Sequence, residues 1–276
     1  MNRAIGLLLM AACVSAHAVV VDAVISPTAY VVRDGGQVRL QTLPGKPVLY
    51  CGLGAFETWA QRLVGQEFQI GSARQPDGVT HAETLVSVVA GAGWLRPASL
   101  DDAGQAAIVE RKGGWACAPK AAPFAEFSDR VDPTILAGIA LNESSYQGRP
   151  WPWTLNVAGR GYYFATRDDA YGAIRRLIEA KRCDFDVGIM QVNWCYHGQR
   201  FASPWDALSP ASNIRVAETI LLENRQRSGS PMKAVAWYHS ADPARGGPYF
   251  ARFLNHLKRL DSARSEERRV GKECRL

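Results

Sequence analysis

Two rhythms of apolar and polar positions divide this chain. Between residues 19 and 50, runs rich in Val, Tyr and Thr are broken by Asp34-Gly35-Gly36 and Pro44-Gly45, a texture that predicts strands joined by turns. Ala55 to Val64 predicts a short helix, Gln66 to Ile70 a strand, Gln75-Pro76-Asp77-Gly78 a turn, and Ala103 to Lys112 a helix stopped by Gly113-Gly114. Residues 118–129, APKAAPFAEFSD, have the Ala/Pro texture of a linker. Beyond them the period becomes helical. Thr166-x-x-Asp169 resembles a capping box, followed by Ala170, Ile174, Leu177 and Ile178 as an apolar face. Ser209-Pro210 opens a helix with Ile214, Ala217, Ile220 and Leu221 inward, and Ser230-Pro231 opens another running through Ala236. Tyr249 to Leu260 places Phe250, Phe253, Leu254 and Leu257 on one side. The expected fold class is α+β in two domains, a small β-barrel followed by an all-α domain.

The helix expected to carry chemistry begins at Asp132, a capping residue, with Pro133 in its first turn. Ile135, Leu136, Ile139 and Ala140 form its core-facing stripe, and Glu143 falls on that same side near the C-terminus. Desolvation and the negative end of the helix dipole both raise a carboxyl pKa there, by about 1.4 kcal/mol per unit. A carboxylic acid kept protonated near neutral pH can donate its proton to a leaving oxygen. The competing reading is a helix-terminal Glu whose head simply reaches solvent.

Both ends of the chain change the charge picture. Arg3, the apolar run Ala4 to Val14 and Ala16-His17-Ala18 read as an export signal cut after Ala18, too short to span a bilayer. A lipoprotein box ending at Cys13 is the competing reading, and no later segment is apolar enough for a membrane span. At the other end, RSEERRVGKEC at 264–274 is similar to the translation of a sequencing-adapter oligonucleotide, so residues 264–276 are read as an artefactual tail rather than part of the fold. Residues 130–263 then carry a net charge of +5 and residues 19–129 one of −2. The positive half suits an anionic polymer, but no Lys/Arg run marks a nucleic-acid stripe. Four cysteines remain, Cys51, Cys117, Cys183 and Cys195, an even set that fits disulfides in an exported protein. Three pairings are formally open, of which one bridge per half, Cys51–Cys117 and Cys183–Cys195, is expected. Zinc is the competing use, without CxxC or HxxxH spacing to support it.

Two resemblances add to this reading. Val38-Arg39-Leu40, the spacing from Ala60 to Gly65, PDG at 76–78, GAGWL at 91–95 and ERKGGW at 110–115 are similar to the thermonuclease-like OB-fold family, which makes 19–117 an OB-like β-barrel. Gly36-Gln37 replaces the family's acidic and hydroxyl residues, and no Pro-Glu pair follows Arg39-Leu40. A nuclease needs several carboxylates around a cation, so a non-catalytic barrel is expected, with nuclease activity as an alternative.

In the second half, Asn142-Glu143-Ser144, then GIMQVN at 188–193, then AWYHS at 236–240 resemble, in order, the lytic transglycosylase (SLT) domain of the goose-type lysozyme superfamily over residues 130–260. PWPWTLNVAGRG at 150–161 and DVGIMQVNW at 186–194 are closest to members associated with conjugation and secretion systems. The resemblance implies Glu143 as catalytic acid/base, Ser144 as its orienting neighbour, Gly188, Met190 and Gln191 as cleft lining, and Tyr238 as hydrogen-bond partner of the Glu. The chain departs at His239, where the family has Asn, and at Ser240-Ala241 in place of Ala-Gly. It also carries a longer insertion with Trp151, Trp153 and Asn156. Trp151 and Trp153 read equally as a packed corner or as a platform for pyranose faces. Gln191, Asn193, Trp153 and Asn156 are expected to touch sugar. His197, His239 and His256 are read as structural or exposed.

The implied reaction uses one carboxyl, no metal and no cofactor. Glu143 protonates the oxygen between N-acetylmuramic acid and N-acetylglucosamine, and the muramyl C6 hydroxyl closes a 1,6-anhydro ring. The expected partner is the peptidoglycan glycan strand, acted on by a periplasmic or secreted monomer serving an envelope-spanning machine, without nucleic acid. A hydrolytic muramidase with Asp184 or Asp186 as second carboxylate, and a non-catalytic wall-binding adaptor, remain as alternatives.

Overall fold

The computed structural model describes residues 17–70 and 84–273. The Gln75–Gly78 turn, Cys13 and nearly all of the expected export signal lie outside them. The fold is mixed α+β, with small antiparallel sheets and a C-terminal helical region. Among the described residues no helix is long and apolar enough to cross a membrane.

Strands β1 (His17–Ser26), β2 (Ala29–Asp34) and β3 (Gln37–Thr42) form a meander, followed by β4 (Lys46–Pro47), α1 (Leu53–Ala60) and β5 (Glu67–Ile70). β5 returns to pair with β1, giving the order β3-β2-β1-β5. Alternation fixes the register: Val19, Val21, Tyr30 and Val32 point into a core closed by Phe56 of α1 and by Leu85 and Val89 of α2 (Leu85–Gly91). Among the described residues β6 (Leu95–Arg96) pairs only with β4. Helix α3 (Asp102–Val109) is capped by Asp101, which accepts from Gly104 N at 2.7 Å.

Residues 118–129 are not an extended tether. They contain the short helix α4 (Ala122–Ala125), and Phe124 and Phe127 are buried in the larger core together with Ile108, Val109 and Trp115. The Ala/Pro texture hid two aromatic side chains that desolvation drives inward. The disulfides pair as expected, Cys51–Cys117 and Cys183–Cys195.

The larger core surrounds α5 (Pro133–Ser144), where Asp132 Oδ1 accepts from Thr134 N at 2.7 Å. Rather than showing one apolar stripe, α5 is buried around its middle, from Leu136 through Ala140. Gly138 permits this: a Cβ there would sit 2.8 Å from the Phe253 ring. After α5 come a short ladder, β7 (Ser145–Tyr146) with β8 (Arg149–Pro150), then β9 (Thr154–Val157), β10 (Arg160–Tyr163), α6 (Arg167–Glu179), β11 (Phe185–Val187) and β12 (Val192–Asn193). The second half is therefore not all-α: it holds a four-stranded antiparallel sheet, β10-β9-β11-β12. Strands of two to four residues are too short to show a period in sequence.

Helices α7 (Trp194–His197), α8 (Pro204–Ala207), α9 (Pro210–Ser228), α10 (Pro231–His239) and α11 (Pro243–Glu273) complete the chain. Thr166 caps α6 as expected, accepting from Asp169 N at 3.1 Å, although Ile178 lies on the exposed side. α11 starts six residues before the expected Tyr249 and runs past Leu260 into the segment read as a tail. Gly246 allows the early start, because a Cβ there would meet Ser240 O at 2.5 Å.

Candidate active site

Glu143 sits in the last turn of α5, partly exposed, with its carboxyl crowded by protein. Burial pushes its pKa up to about 8. The Tyr249 hydroxyl pulls it back down, Asp186 raises it further and Arg252 lowers it. Tyr249 is buried at the head of α11, and its hydroxyl has no partner of good hydrogen-bond geometry. Its own pKa is pushed well up, first by burial and then by the Glu143 charge. The phenol facing this carboxyl is thus Tyr249. Tyr238, to which the resemblance gave that part, instead donates to Met190 O at 2.8 Å, close enough to Glu143 that the carboxylate charge raises its pKa.

The three sequence islands meet through side-chain-to-backbone bonds. Ser144 Oγ, fully buried, donates to Ile189 O at 2.6 Å, tying the end of α5 to the turn between β11 and β12. Tyr238 of α10 holds the next carbonyl of that turn, Met190 O, and Asn213 of α9 holds the turn's amide and the carbonyl before it. Asn213 Oδ1 accepts from Met190 N at 2.8 Å, and its Nδ2 lies 2.9 Å from both Val187 O and Ala207 O. Gly188 has φ +82°, and a Cβ there would meet Asn213 Nδ2 at 2.5 Å, so the turn admits no side chain at that point.

This packing turns inward four residues that the resemblance set beside the acid or along the cleft. Ser144 and Met190 are fully buried, Gly188 faces Asn213, and Gln191 is 8% exposed with Nε2 donating to Thr154 O and Gly188 O. Gln191 also adopts φ +48°, the left-handed conformation that closes the turn. These residues build the site's frame, and their polar groups satisfy backbone that would otherwise be buried unpaired.

The solvent side is a sheet face. Leu155, Phe185, Val187 and Val192 point into the core, so Asn156, Asp186 and Asn193 point away from it. The register sets Asp186 between Asn156 on β9 and Asn193 on β12, and Asn193 Nδ2 donates to Asp186 Oδ1 at 2.8 Å. Burial raises the Asp186 pKa, against the pull of Asn193 and His239. Asp184 takes a different place: it is exposed and paired with Arg182 at 2.7 Å. Trp153 packs edge-on to Trp151 and against the larger core, while Trp151 Nε1 donates to Phe164 O at 2.7 Å, so this pair is a packed corner. His239 is exposed and stacks on Tyr249, with ring centroids 4.9 Å apart and planes 4° apart.

The place of Tyr249 beside Glu143 escaped the sequence reading, while His239 is exposed, as read. Gly246-Gly247-Pro248 marks a break before Tyr249, which hid a helix already running from Pro243. The one available signal was its place at the edge of the Phe250–Phe253–Leu257 face that packs on α5.

The raised Glu143 pKa has a stability consequence. A carboxyl whose folded pKa exceeds its unfolded value contributes stability that is present below the unfolded pKa, near 4.5, and lost as pH rises through about 8. Glu143→Gln removes that ionisation. Its melting temperature is expected to match wild type at pH 4 and to exceed it by several degrees at about pH 9, as read by thermal unfolding at both pH values. An equal difference at both would show that Glu143 ionises normally in the folded protein.

No family profile, curated protein or solved structure matches this chain.

Proposed function

We propose that this protein is an exported peptidoglycan lytic transglycosylase. The observation that carries the reading is the meeting of the three islands around one proton-bearing acid. Ser144 and Tyr238 clamp consecutive carbonyls of the 188–191 turn, and Glu143 stands beside them with a pKa near 8. On this reading residues 130–263 form an SLT-type, lysozyme-like domain and residues 19–117 an OB-like domain used for binding or spacing. The two disulfides fit an extracytoplasmic location.

Glu143 gives its proton to the glycosidic oxygen as the bond from that oxygen to muramyl C1 breaks. The resulting carboxylate takes the proton of the C6 hydroxyl, whose oxygen bonds to C1 and closes the anhydro ring. The acid returns to its starting state with no water consumed. On this reading Tyr249, which lowers the Glu143 pKa, favours the carboxylate formed between the two transfers. Local wall opening for a conjugation or secretion apparatus is the use that the resemblance favours.

Asp186 supports a second reading. A carboxylate whose charge reaches Glu143 is close enough to the acid to activate water there, making the enzyme a hydrolytic muramidase. Mass spectrometry of purified sacculi digested by the wild type separates the two. Anhydromuropeptides are the expected product, whereas reducing-end muramic acid would replace the first reading with the second.

A further inference from the structure

A cavity of about 490 Å³ is lined by Asp102 and Gln105 of α3, Arg167 of α6 and Trp205 of α8. Glu143 and Asp186 are not among its lining residues. Helix α9 separates the two places. Asn213 reaches the 188–191 turn, while Arg215, two residues on and about 200° round the helix, lines the cavity. Six charged side chains line it, and four of them neutralise one another. Arg167 is ion-paired with Asp102 and lies 4.1 Å over the Trp205 ring, and Arg96 is paired with Glu126. Asp206 and Arg215 are left, and neither enters an ion pair among the described residues. Ser212 stands between them: its Oγ donates to Asp206 Oδ1 at 2.6 Å and accepts from Arg215 Nη2 at 3.1 Å. Ala202 N donates to the other Asp206 oxygen at 3.2 Å, which fixes the carboxylate. An adjoining cavity, of about 320 Å³, is lined by the same three residues.

We propose that Asp206, Ser212 and Arg215 bind a zwitterionic α-amino-acid head group, carried by the diaminopimelate residue of a peptidoglycan stem peptide. The ligand carboxylate takes the Arg215 guanidinium and its ammonium takes the Asp206 carboxylate, both as charge-assisted hydrogen bonds. These two receptors stand one hydroxyl apart, as the two charges of a head group stand one carbon apart. A simple anion or cation would leave one of them unmatched. The two cavities together have the volume of a ligand larger than one amino acid, which leaves room for the rest of the peptide. The peptide as source rests on the transglycosylase reading; a free amino acid presents the same head group. Because the site lies off the glycan face, it holds a stem peptide of an adjoining strand while Glu143 acts on its own.

The test titrates the full chain by calorimetry with the soluble tetrapeptide L-Ala-γ-D-Glu-meso-diaminopimelate-D-Ala, with the same peptide carrying L-Lys in place of diaminopimelate, and with free meso-diaminopimelate. The lysine peptide keeps the ammonium but lacks the head-group carboxylate, so it should bind about tenfold more weakly or worse. Arg215→Gln, at an exposed position, should weaken the diaminopimelate peptide by a similar factor. It should leave the lysine peptide and the melting temperature unchanged. Asp206→Asn, which keeps an oxygen for Ser212, should weaken both peptides. Tighter binding of the tetrapeptide than of free diaminopimelate supports the wall as source, and equal binding would overturn that source. No binding of any probe, equal affinity for the two peptides, or Arg215→Gln titrating like wild type would each overturn the head-group site. Failure of the transglycosylase reading shows separately, as wild-type protein that leaves sacculi intact while these titrations stand.

Discussion

Glu143→Gln is expected to reduce sacculus cleavage by about three orders of magnitude or more, with the fold retained. A positioned proton-transfer group contributes roughly 10²–10⁴ in rate, and here one carboxyl both delivers the proton and takes it back. Glutamine keeps the size and the hydrogen-bonding reach but can do neither. The comparison that gives the number meaning is Asp186→Asn. Under transglycosylation Asp186 acts on Glu143 only through its charge, so its loss should lower the Glu143 pKa and shift the alkaline limb of the pH profile downward, at a cost of about tenfold or less in rate. Under hydrolysis Asp186→Asn should be as damaging as Glu143→Gln. Activity of Glu143→Gln within about tenfold of wild type would move the chemistry to another residue, whereas wild-type protein that binds sacculi and leaves them intact would make the wall-binding adaptor the better account.

The second large effect is on stability. Gly188→Ala should cost about 3–5 kcal/mol, lowering the melting temperature by roughly 10 °C in a chain of this size. One contribution is strain, since alanine at φ +82° occupies a conformation unfavourable for any side chain. The larger one is displacement of Asn213, which is fully buried and holds Met190 N, Val187 O and Ala207 O. Each buried group left unpaired costs about 1–3 kcal/mol. Because Asn213 holds the same turn that Ser144 and Tyr238 hold, the variant should lose activity with stability. Thermal unfolding checks the first expectation, and a melting temperature unchanged within about a degree would mean that the turn is held by something other than Asn213.

Legibility in the sequence followed the range of the interactions. The Asp132 cap, the Thr166 cap and the starts of α9 and α10 depend on neighbours within three residues, and all were readable. The meeting of Glu143, the 188–191 turn and Tyr238 was readable only as three motifs in order. Their distances in sequence say nothing of the bonds between them. What each residue does was less visible. Met190 and Ser144 look like cleft residues by position, but their side chains are enclosed by helices from other parts of the chain. The β9–β12 sheet was hidden by the shortness of its strands, and with it the row that carries Asp186. Phe124 and Phe127 were outvoted by the alanines and prolines around them, although two aromatics three residues apart already make a small apolar face.

The central claim is that burial keeps Glu143 protonated at neutral pH. Carbon-13 NMR titration of the side-chain carboxyls, with the Glu143 signal assigned by its disappearance in Glu143→Gln, measures this directly. A midpoint near 8 is the expected result. A midpoint near the ordinary 4.5 would leave no acid at this position to start the reaction, and would contradict the account.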